Sequence, residues 1–554
     1  MAPKAPTPTD LRNGRPVYCL DLDWGGVRYR VATAAIDITR ADGSVIHYAD
    51  ALSDPQFVEE YNRTGTQTGN SVPLAVYLDG VDIAQEVAQG YRLEAVRGHL
   101  FMVFVDRDTL DSRQTYPQRY PLLTGRLSQP VYADPDRDPG YLAFTLDDNP
   151  GDDTSILIDA ESSISTLTWG SGVPSDSIGK VYPTIIGTPG LYRLSTGEPA
   201  GTSGSPAYPI AVSGTDFSKL LIAGHQVTAT SVKVFDTDDP QASDTLTVSH
   251  ELDGLGRLCA VVDISSAGSL SKTSAEYWVV WNQVGGGIQN PFKAGALTGL
   301  GDVCAWALLR TSLPVDLERW IAEAGVLNRV QIDTYINEPT LTPWSFVTRL
   351  LDDLLVEVRA GPQGVYPHGR LLDLATAEGL ATLTEGPEFE PAGPVTSQTQ
   401  LGDVINEVTI KFARKSRTGD FKRALTVSPL PSDSAEVFSD EYAVISANRW
   451  STDPQAPIIQ SETLTLSHVY DETTASLIAR ERVRALGLGY STRPYLADVR
   501  MGWLMPGDQF KLDSDSLHRS FFVTVMSKTW TGIQWAFVVA LDEDPVRISS
   551  LKDY

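Results

Sequence analysis

Alternation of apolar and polar residues predicts β-strands over most of the chain, and the clearest example lies near residue 410. Every second residue from Val404 to Phe412 is apolar except Asn406, whereas Glu407, Thr409 and Lys411 occupy the positions between them. A side-chain period of two is the pattern of a strand with one buried face. We therefore expect this strand to belong to a sheet that is covered on one side.

A helix is predicted between residues 471 and 487. Acidic residues occupy its first turn and arginines follow towards its end, which complements the helix dipole, and Gly487 is the expected C-terminal cap. The apolar positions form one narrow stripe, namely Ala475, Ile478, Ala479, Val483 and Leu486. This helix is expected to pack through that stripe alone.

The order of strand, hairpin, helix and Pro-Gly-Asp turn resembles the C-terminal part of the phage tail hub proteins. Members of this central baseplate and tail-tip family occur in long flexible-tailed phages and in gene transfer agents. The resemblance is carried by Asn-Glu-Val-Thr-Ile at residues 406–410, Ala-Arg-Glu-Arg at 479–482 and Met-Pro-Gly-Asp at 505–508. It extends from about Gly301 to the end of the chain and is looser before that residue.

The earlier part of the chain predicts strands and then a few helices. Short strands separated by Asp-Gly, Asn and Pro turns fill residues 17–160, including predicted hairpins at 37–48 and 74–83. Three helices follow. Asp302 is expected to cap the first, an apolar stripe from Leu317 through Ile321 to Gly325 defines the second, and Thr342 with Pro343 begins the third.

These patterns predict a mainly β, multidomain protein with an α+β insertion, in which β-barrel or sandwich domains accompany a small helix-flanked sheet domain. The predicted division is an N-terminal β region (residues 1–165), a β-rich domain (166–290), an α/β middle domain (291–395) and a C-terminal barrel-like hub domain with one helix (396–554). Residues 386–397, rich in Glu, Gly and Pro, are the predicted linker in the second half.

Composition limits the classes of function that remain. The 554 residues are 42% hydrophobic and 21% charged, which suffices for several cores, and the net charge of -26 argues against stable binding of nucleic acid. Cys19, Cys259 and Cys304 are too few and too far apart to predict a disulfide framework, a zinc site or an iron-sulfur site. The sequence predicts no metal, no cofactor, no signal peptide and no membrane-spanning segment, which fits assembly in a reducing host cytoplasm.

One segment offers possible catalytic chemistry. Gly201-Thr202-Ser203-Gly204-Ser205-Pro206 looks like the nucleophile loop of chymotrypsin-like proteases, with Ser203 in the nucleophile's place. Such a triad needs a His and an Asp earlier in the chain, but neither His47 nor His99 lies in a loop like that of the protease family. Small residues in this order are also common in turns. We predict that the protein is not an enzyme and keep a serine hydrolase as the third hypothesis.

Three other features each have a binding interpretation and a structural one. A basic hairpin comprises Arg414, Lys415, Arg417, Lys422 and Arg423; it is either solvated or faces a bore or an acidic partner. Acidic turns at residues 134–140 and 236–240 have alternating acids but lack the other ligands of a calcium loop, so we interpret them as solvated turns. The tryptophans, including Trp306, Trp320, Trp344 and Trp530, are expected to pack in cores instead of stacking on sugars.

The resemblance implies a structural role in the tail tip or baseplate of a virion. A homotrimeric ring would close the tail tube, contact the distal tail protein, the tape measure protein and central tip or fibre proteins, and open for transient passage of DNA. A receptor-binding or glycan-binding tip protein is the alternative, and it would need exposed aromatic residues in the N-terminal β region.

Overall fold

The fold is described from a computed structural model. The residues that it describes are 14–39, 42–55, 58–60, 71–77, 96–106, 119–133, 140–147, 157, 163–188, 210–212, 218–236, 243–270, 277–281, 286–311, 313–361, 364–368, 381–397, 404–414, 420–430, 432, 434, 436–451, 456–487, 490–531 and 533–542. Within these residues the protein is mainly β, with several sheets and few helices, as the sequence predicts.

The N-terminal strands form an eight-stranded sheet that nearly closes into a barrel. They are β1 (Gly14–Trp24), β2 (Val27–Ala32), β3 (Ile36–Thr39), β4 (Val45–Asp50), β6 (Ser71–Tyr77), β7 (Arg97–Asp106), β8 (Tyr120–Ala133) and β9 (Tyr141–Asp147), in the spatial order β3-β4-β2-β1-β7-β8-β9-β6. The backbone N–H of Tyr77 donates to the carbonyl of Ala51, which brings the chain after β4 against β6. The prediction of an all-β region is thus confirmed for the described residues.

Both predicted N-terminal hairpins can be located in this sheet. β3 and β4 pair antiparallel with Ile36 opposite Tyr48, which confirms the hairpin at residues 37–48. The hairpin predicted at 74–83 lies partly outside the described residues, and its first strand, β6, pairs with β9. In β6 and β9 alternate residues are buried, as the period of two requires.

A second sheet of six strands follows. It consists of β11 (Ile210–Ala211), β12 (Lys219–Ala223), β13 (Ser231–Asp236), β14 (Ser243–Leu252), β15 (Leu258–Asp263) and β16 (Tyr277–Trp281), in the order β11-β12-β15-β14-β13-β16. A short helix, α1 (Thr166–Trp169), precedes it, and β10 (Thr184–Ile186) pairs instead with β17 (Thr334–Ile336). This sheet lies within residues 166–290, which the sequence predicts to be rich in β-strands.

The three predicted helices are present as α2 (Leu300–Leu308), α3 (Leu317–Leu327) and α4 (Pro343–Asp352). Asp302 does not cap α2, because Gly299 occupies the N-cap position and the Asp302 carboxylate is buried. Helix α3 continues past Gly325, and Ile321 is exposed because the buried stripe runs through Trp320, Ala324 and Leu327. The Thr342 cap of α4 is confirmed: its side chain accepts from the backbone N–H of Ser345.

A four-stranded sheet carries the predicted strand and helix of residues 404–487. The sheet contains β23 (Glu407–Arg414), β24 (Phe421–Ser428), β25 (Val437–Ser439) and β26 (Ser461–Thr465), and the helices beside it are α5 (Glu441–Arg449) and α6 (Glu472–Leu486). Val408, Ile410 and Phe412 are fully buried, as their alternation predicts. The Asp471 side chain caps the start of α6, and Gly487 is its C-cap, as predicted. The φ of Gly487 is -73°, and a Cβ there would lie 2.5 Å from the carbonyl oxygen of Val483.

The C-terminal sheet draws strands from distant parts of the chain. Its members are β5 (Val58–Glu60), β20 (Thr382–Thr384), β21 (Phe389–Pro391), β22 (Thr396–Ser397), β27 (Ser491–Ala497), β28 (Gln509–Ser514), β29 (Arg519–Trp530) and β30 (Trp535–Asp542), and β18 (Glu357–Gly361) pairs separately with β19 (Gly364–His368). The linker predicted at residues 386–397 is wrong, because this segment supplies β21 and β22 and buries Phe389.

Two large hydrophobic cores each join elements from different parts of the fold, whereas the six-stranded sheet packs on a core of its own. The first joins the barrel to the C-terminal sheet, since Leu100 of β7 and Phe510 of β28 belong to the same buried cluster. Tyr18 of β1 and Trp535 of β30 meet edge to face across this junction with ring centroids 6.4 Å apart. The second core joins helices α2 to α4 with β23, β24 and α6. The barrel and the C-terminal sheet are therefore braced by shared packing.

Candidate partner-facing surfaces

The described residues of the basic hairpin lie on β23 and β24, which pair antiparallel. Lys415 and Arg417 lie outside the described residues. Arg414 is exposed, and its carbonyl accepts a hydrogen bond from the Tyr470 hydroxyl at 2.8 Å. Lys422 is half-buried beside it on β24. Because Arg414 lies opposite Phe421 in the register, Arg414 and Lys422 lie at the same end of the sheet.

Arg423 is directed towards acids of its own chain. Its guanidinium lies 3.5 Å from a carboxylate oxygen of Glu436 and 3.5 Å from one of Glu472, which begins α6. Arg423 lies opposite Phe412, whose side chain faces the helices. Its charge is therefore balanced within the chain by these two carboxylates.

Only the two histidines among the sequence candidates for hydrolase chemistry lie within the described residues. Ser203 lies outside the described residues. His47 is exposed on β4 with Nδ1 2.7 Å from Asp37 Oδ1, and the Nδ1 of His99 on β7 is 3.2 Å from the Thr124 hydroxyl. Burial lowers the pKa of His99. The hypothesis of a nucleophile at Ser203 stays a prediction.

Metal and thiol chemistry have little support in the described residues. Among them, no group of three or more His, Cys, Asp or Glu side chains could hold a metal ion. The acidic turns predicted at 134–140 and 236–240 lie almost wholly outside the described residues. Cys19, Cys259 and Cys304 are free and buried, and burial raises the pKa of each thiol. Buried thiols held in the protonated form are poor nucleophiles.

The Pro-Gly-Asp turn proves to be a buried junction between two parts of the fold. Arg359 of β18 donates to the carbonyl of Pro506 and pairs with Glu357 at 2.7 Å. Asp508 accepts from the backbone N–H of Met505 at 2.8 Å, and burial raises the pKa of its carboxyl to about 6. Sequence reasoning identified the turn but missed its basic partner, because Arg359 lies 147 positions earlier.

A pair of tyrosines lies on the outer surface of the barrel. Tyr77 of β6 and Tyr141 of β9 are directly opposite in register, and their neighbours Val76 and Leu142 point into the core. Tyr77 is exposed and Tyr141 is half-buried. Directly opposite residues on antiparallel strands lie on the same face of a sheet, so both side chains share the outer surface. This pair is the type of aromatic surface that the glycan-binding alternative requires.

The tryptophans named from the sequence pack in cores, as predicted. Trp306 and Trp320 are buried among the helices, whereas Trp344 and Trp530 are partly buried against the two large clusters.

Comparison with known proteins finds similar structures only. No family model and no curated protein matches the chain. A tail protein from Neisseria meningitidis is 9% identical with a TM-score of 0.36, and the match covers 95% of this chain and 97% of that one. A 43 kDa prophage tail protein from Shewanella oneidensis is 8% identical with a TM-score of 0.34, covering 94% and 98%.

A chain of the gene transfer agent virion is also similar, at 12% identity and a TM-score of 0.34 over 58% of this chain and 77% of that one. These structures are tail proteins or virion components, the class of protein that the sequence resemblance names. Among the described residues, no helix is both long and apolar enough to cross a membrane.

Proposed function

We propose that this chain is a structural component of a phage or phage-like virion, namely the hub at the distal end of the tail. Three copies form a ring that closes the tail tube, links it through the distal tail protein and the tape measure protein to central tip or fibre proteins, and opens to let DNA pass. The protein acts through its contact surfaces and has no catalytic role.

The shared core of the barrel and the C-terminal sheet carries this proposal. β5 leaves the barrel region and pairs with β29, so that Glu60 lies opposite Ser527 in the register. Sheets that exchange a strand and share packed side chains resist separation, because their relative movement would expose apolar surface. A part that must transmit force between a tube and its fibres needs this rigidity, and closed sheets also leave few edges open to unwanted pairing.

The basic residues Arg414 and Lys422, at one end of the β23–β24 pair, suit a role beside passing DNA. The chain as a whole is strongly acidic, so it repels phosphate over most of its surface. A small basic region at the end of a hairpin attracts the phosphate backbone locally without binding it tightly. In the proposed ring, the end of the hairpin that carries Arg414 and Lys422 faces the bore.

Cryo-electron microscopy of the intact particle tests the position of the protein. We expect three copies of this chain around the tail axis at the distal end of the tube. Density for another protein at that position, with this chain located elsewhere in the particle, would contradict the proposal. The double variant Arg414→Glu with Lys422→Glu is then expected to assemble normally but to deliver less DNA, whereas Lys180→Glu, at an exposed position outside the hairpin, serves as the matched control.

The exposed tyrosine pair supports a second candidate function, binding of a glycan on the host surface. Aromatic faces stack on sugar rings, and Tyr77 and Tyr141 lie side by side on the outer surface of the barrel. The test is a glycan array probed with the wild-type protein and with Tyr77→Ala. Binding lost in that variant and kept in Tyr29→Ala would support the function, and no glycan binding by the wild type would exclude it.

A further inference from the structure

Four leucines are exposed around one hairpin of the second sheet. Their side chains are accessible to 83% for Leu167, 66% for Leu252, 61% for Leu255 and 40% for Leu258. Leu252 ends β14 and lies directly opposite Leu258 at the start of β15, while Leu255 lies in the turn between them. We call these four residues the leucine tip.

Leu167 of α1 lies next to this hairpin because the two backbones are in close contact. The N–H of Gly254 donates to the carbonyl of Thr168 at 2.7 Å, and a Cβ at Gly254 would lie 2.1 Å from the carbonyl oxygen of Leu167. Only glycine allows the hairpin and the helix to approach this closely. The leucine tip is therefore one surface made from two segments that are far apart in sequence.

Asp253 fixes the shape of the turn below the leucines. Its carboxylate accepts from the backbone N–H groups of Leu255 and Arg257 at 2.9 Å each and from the Tyr182 hydroxyl at 2.9 Å. Trp169 Nε1 in turn donates to the same hydroxyl at 2.8 Å. Burial alone would raise the pKa of Asp253, but these hydrogen bonds outweigh it and hold the pKa below its usual value. Because the turn is already ordered, little conformational entropy is lost when a partner binds.

The charges beside the leucines are balanced within the chain. Arg257 Nε lies 3.1 Å from Asp253, and Lys219 lies 2.8 Å from Glu251. The surface therefore presents apolar side chains without a net charge of its own. Exposed apolar groups of this kind are typical of a protein contact.

We propose that the leucine tip binds a second copy of this chain and forms a contact between neighbouring subunits; this inference rests on the ring of the proposed function. Two copies that each carry a net charge of -26 repel each other, so they can meet only where few acids lose their hydration. A basic partner would bind the acidic surface directly and would need no neutral apolar tip. A second copy is such a like-charged body, and the ring of the proposed function brings it into contact.

A photo-crosslink identifies the occupant directly. In Leu255→Cys the introduced thiol is exposed, whereas Cys19, Cys259 and Cys304 are buried, so a benzophenone maleimide labels the new position selectively. We expect illumination of the full-length labelled protein to crosslink it to a second copy of the same chain. Crosslinks only to phosphatidylglycerol vesicles, or only to another protein in purified particles, would overturn the proposal.

Association of the chain provides the second measurement. The double variant Leu167→Asp with Leu255→Asp places charge at exposed positions and is expected to weaken self-association at least tenfold in analytical ultracentrifugation, with unchanged circular dichroism. Ile533→Asp is the matched control, because Ile533 is 82% exposed at the β29–β30 turn. Raising the salt concentration should strengthen association of the wild type by screening the repulsion between copies.

The results also separate this inference from the proposed function. If the wild-type chain forms a ring at the tail end and the double variant forms the same ring, the leucine tip is not the contact and the hub role remains. A wild-type chain that stays monomeric at high concentration and is missing from the tail end would overturn both.

Discussion

Arg359 holds a buried junction together at the scale of a single residue. Its guanidinium pairs with Glu357 and donates to the carbonyl of Pro506, and both charged side chains are buried. Arg359→Met would leave the Glu357 carboxylate buried without its cation. We expect the free energy of unfolding to fall by about 3–5 kcal/mol, measured by chemical denaturation.

Arg28→Met is the matched control for that substitution. Arg28 pairs with Asp23 at 2.6 Å, but both side chains are largely exposed. Exposed ion pairs contribute little, so this change should cost less than about 1 kcal/mol. Similar losses for the two variants would mean that the Arg359 pair does not brace the junction.

Asp508 makes the stability of the protein depend on pH. Burial raises the pKa of its carboxyl from 3.8 to about 6. The folded protein therefore keeps a proton that the unfolded chain releases, and stability decreases as the pH rises from about 4 to about 6. Asp508→Asn keeps an oxygen to accept from Met505 and removes the titration. We expect this variant to be more stable than the wild type by about 2–3 kcal/mol at pH 8 and equally stable at pH 4.

Glu385→Gln provides a comparison of opposite sign. Burial alone would raise the pKa of Glu385, but hydrogen bonds from Ser516, Tyr495 and Ser514 lower it to about 2. Its stabilising effect is present at neutral pH and is lost as the pH falls from about 4.5 to about 2. Thermal unfolding followed across this range distinguishes the two carboxyls, and an Asp508→Asn profile parallel to the wild type would contradict the assignment.

The sequence pattern predicted which side chains are buried in regular strands and helices better than it predicted which polar side chains contact each other. The burial of Val408, Ile410 and Phe412 follows from their spacing alone. Arg423 was grouped with the basic hairpin, yet the fold brings it to Glu472, 49 positions later, an approach that no local pattern encodes. The leucine tip was missed because single leucines in turns are common, and only the fold brings four together.

At the scale of elements, we expect the Asp471 cap to stabilise the first turn of α6. Its side chain accepts from the backbone N–H of Thr474 at 2.8 Å, which satisfies one of the free donors in the first turn. Asp471→Ala should lower the free energy of unfolding by about 1 kcal/mol, measured by urea denaturation. Asp471→Ser keeps an acceptor and should recover most of the loss; equal destabilisation by both variants would show that the cap is not the cause.

Helices that have both an N-cap signal and an apolar stripe were predicted from the sequence. The helix and the strands that the sequence analysis missed have weaker signals. Helices α4 and α6 have both signals: the predicted N-cap at Thr342 is confirmed, and α6 begins at Glu472 after its cap Asp471, at the start of the predicted segment. Helix α5 was missed because the residues that it buries are mostly small or polar, namely Tyr442, Ala443, Ser446 and Ala447. The strands at 389–391 and 396–397 are too short for their alternation to stand out from a polar loop.

At the scale of the whole molecule, the pairing of β5 with β29 could not be inferred from sequence. The two strands are more than 450 residues apart, and β5 has only three residues. The sequence divides the chain into an N-terminal and a C-terminal β region, whereas the fold packs the described parts of both on one core. Local periodicity reports which face of a strand is buried but does not report which distant strand covers it.

Trp535 is the residue through which this shared core can be tested. It is almost fully buried, contacts Tyr18 of the barrel and donates from Nε1 to the carbonyl of Val499 at 3.1 Å. Trp535→Ala should cost about 3–5 kcal/mol. If the barrel and the C-terminal sheet unfold as one unit, hydrogen exchange should accelerate in β7 and β8 as much as in β29 and β30.

The contrasting substitution is Phe346→Ala, which removes a buried ring of α4 from the other large core. It should cost a similar amount of stability but accelerate exchange mainly in the helices and in β23 and β24. Faster exchange confined to β29 and β30 in Trp535→Ala would show that the barrel unfolds independently. A hub built from separable domains would then have to transmit force through its neighbours, because its own core would not connect the two sheets.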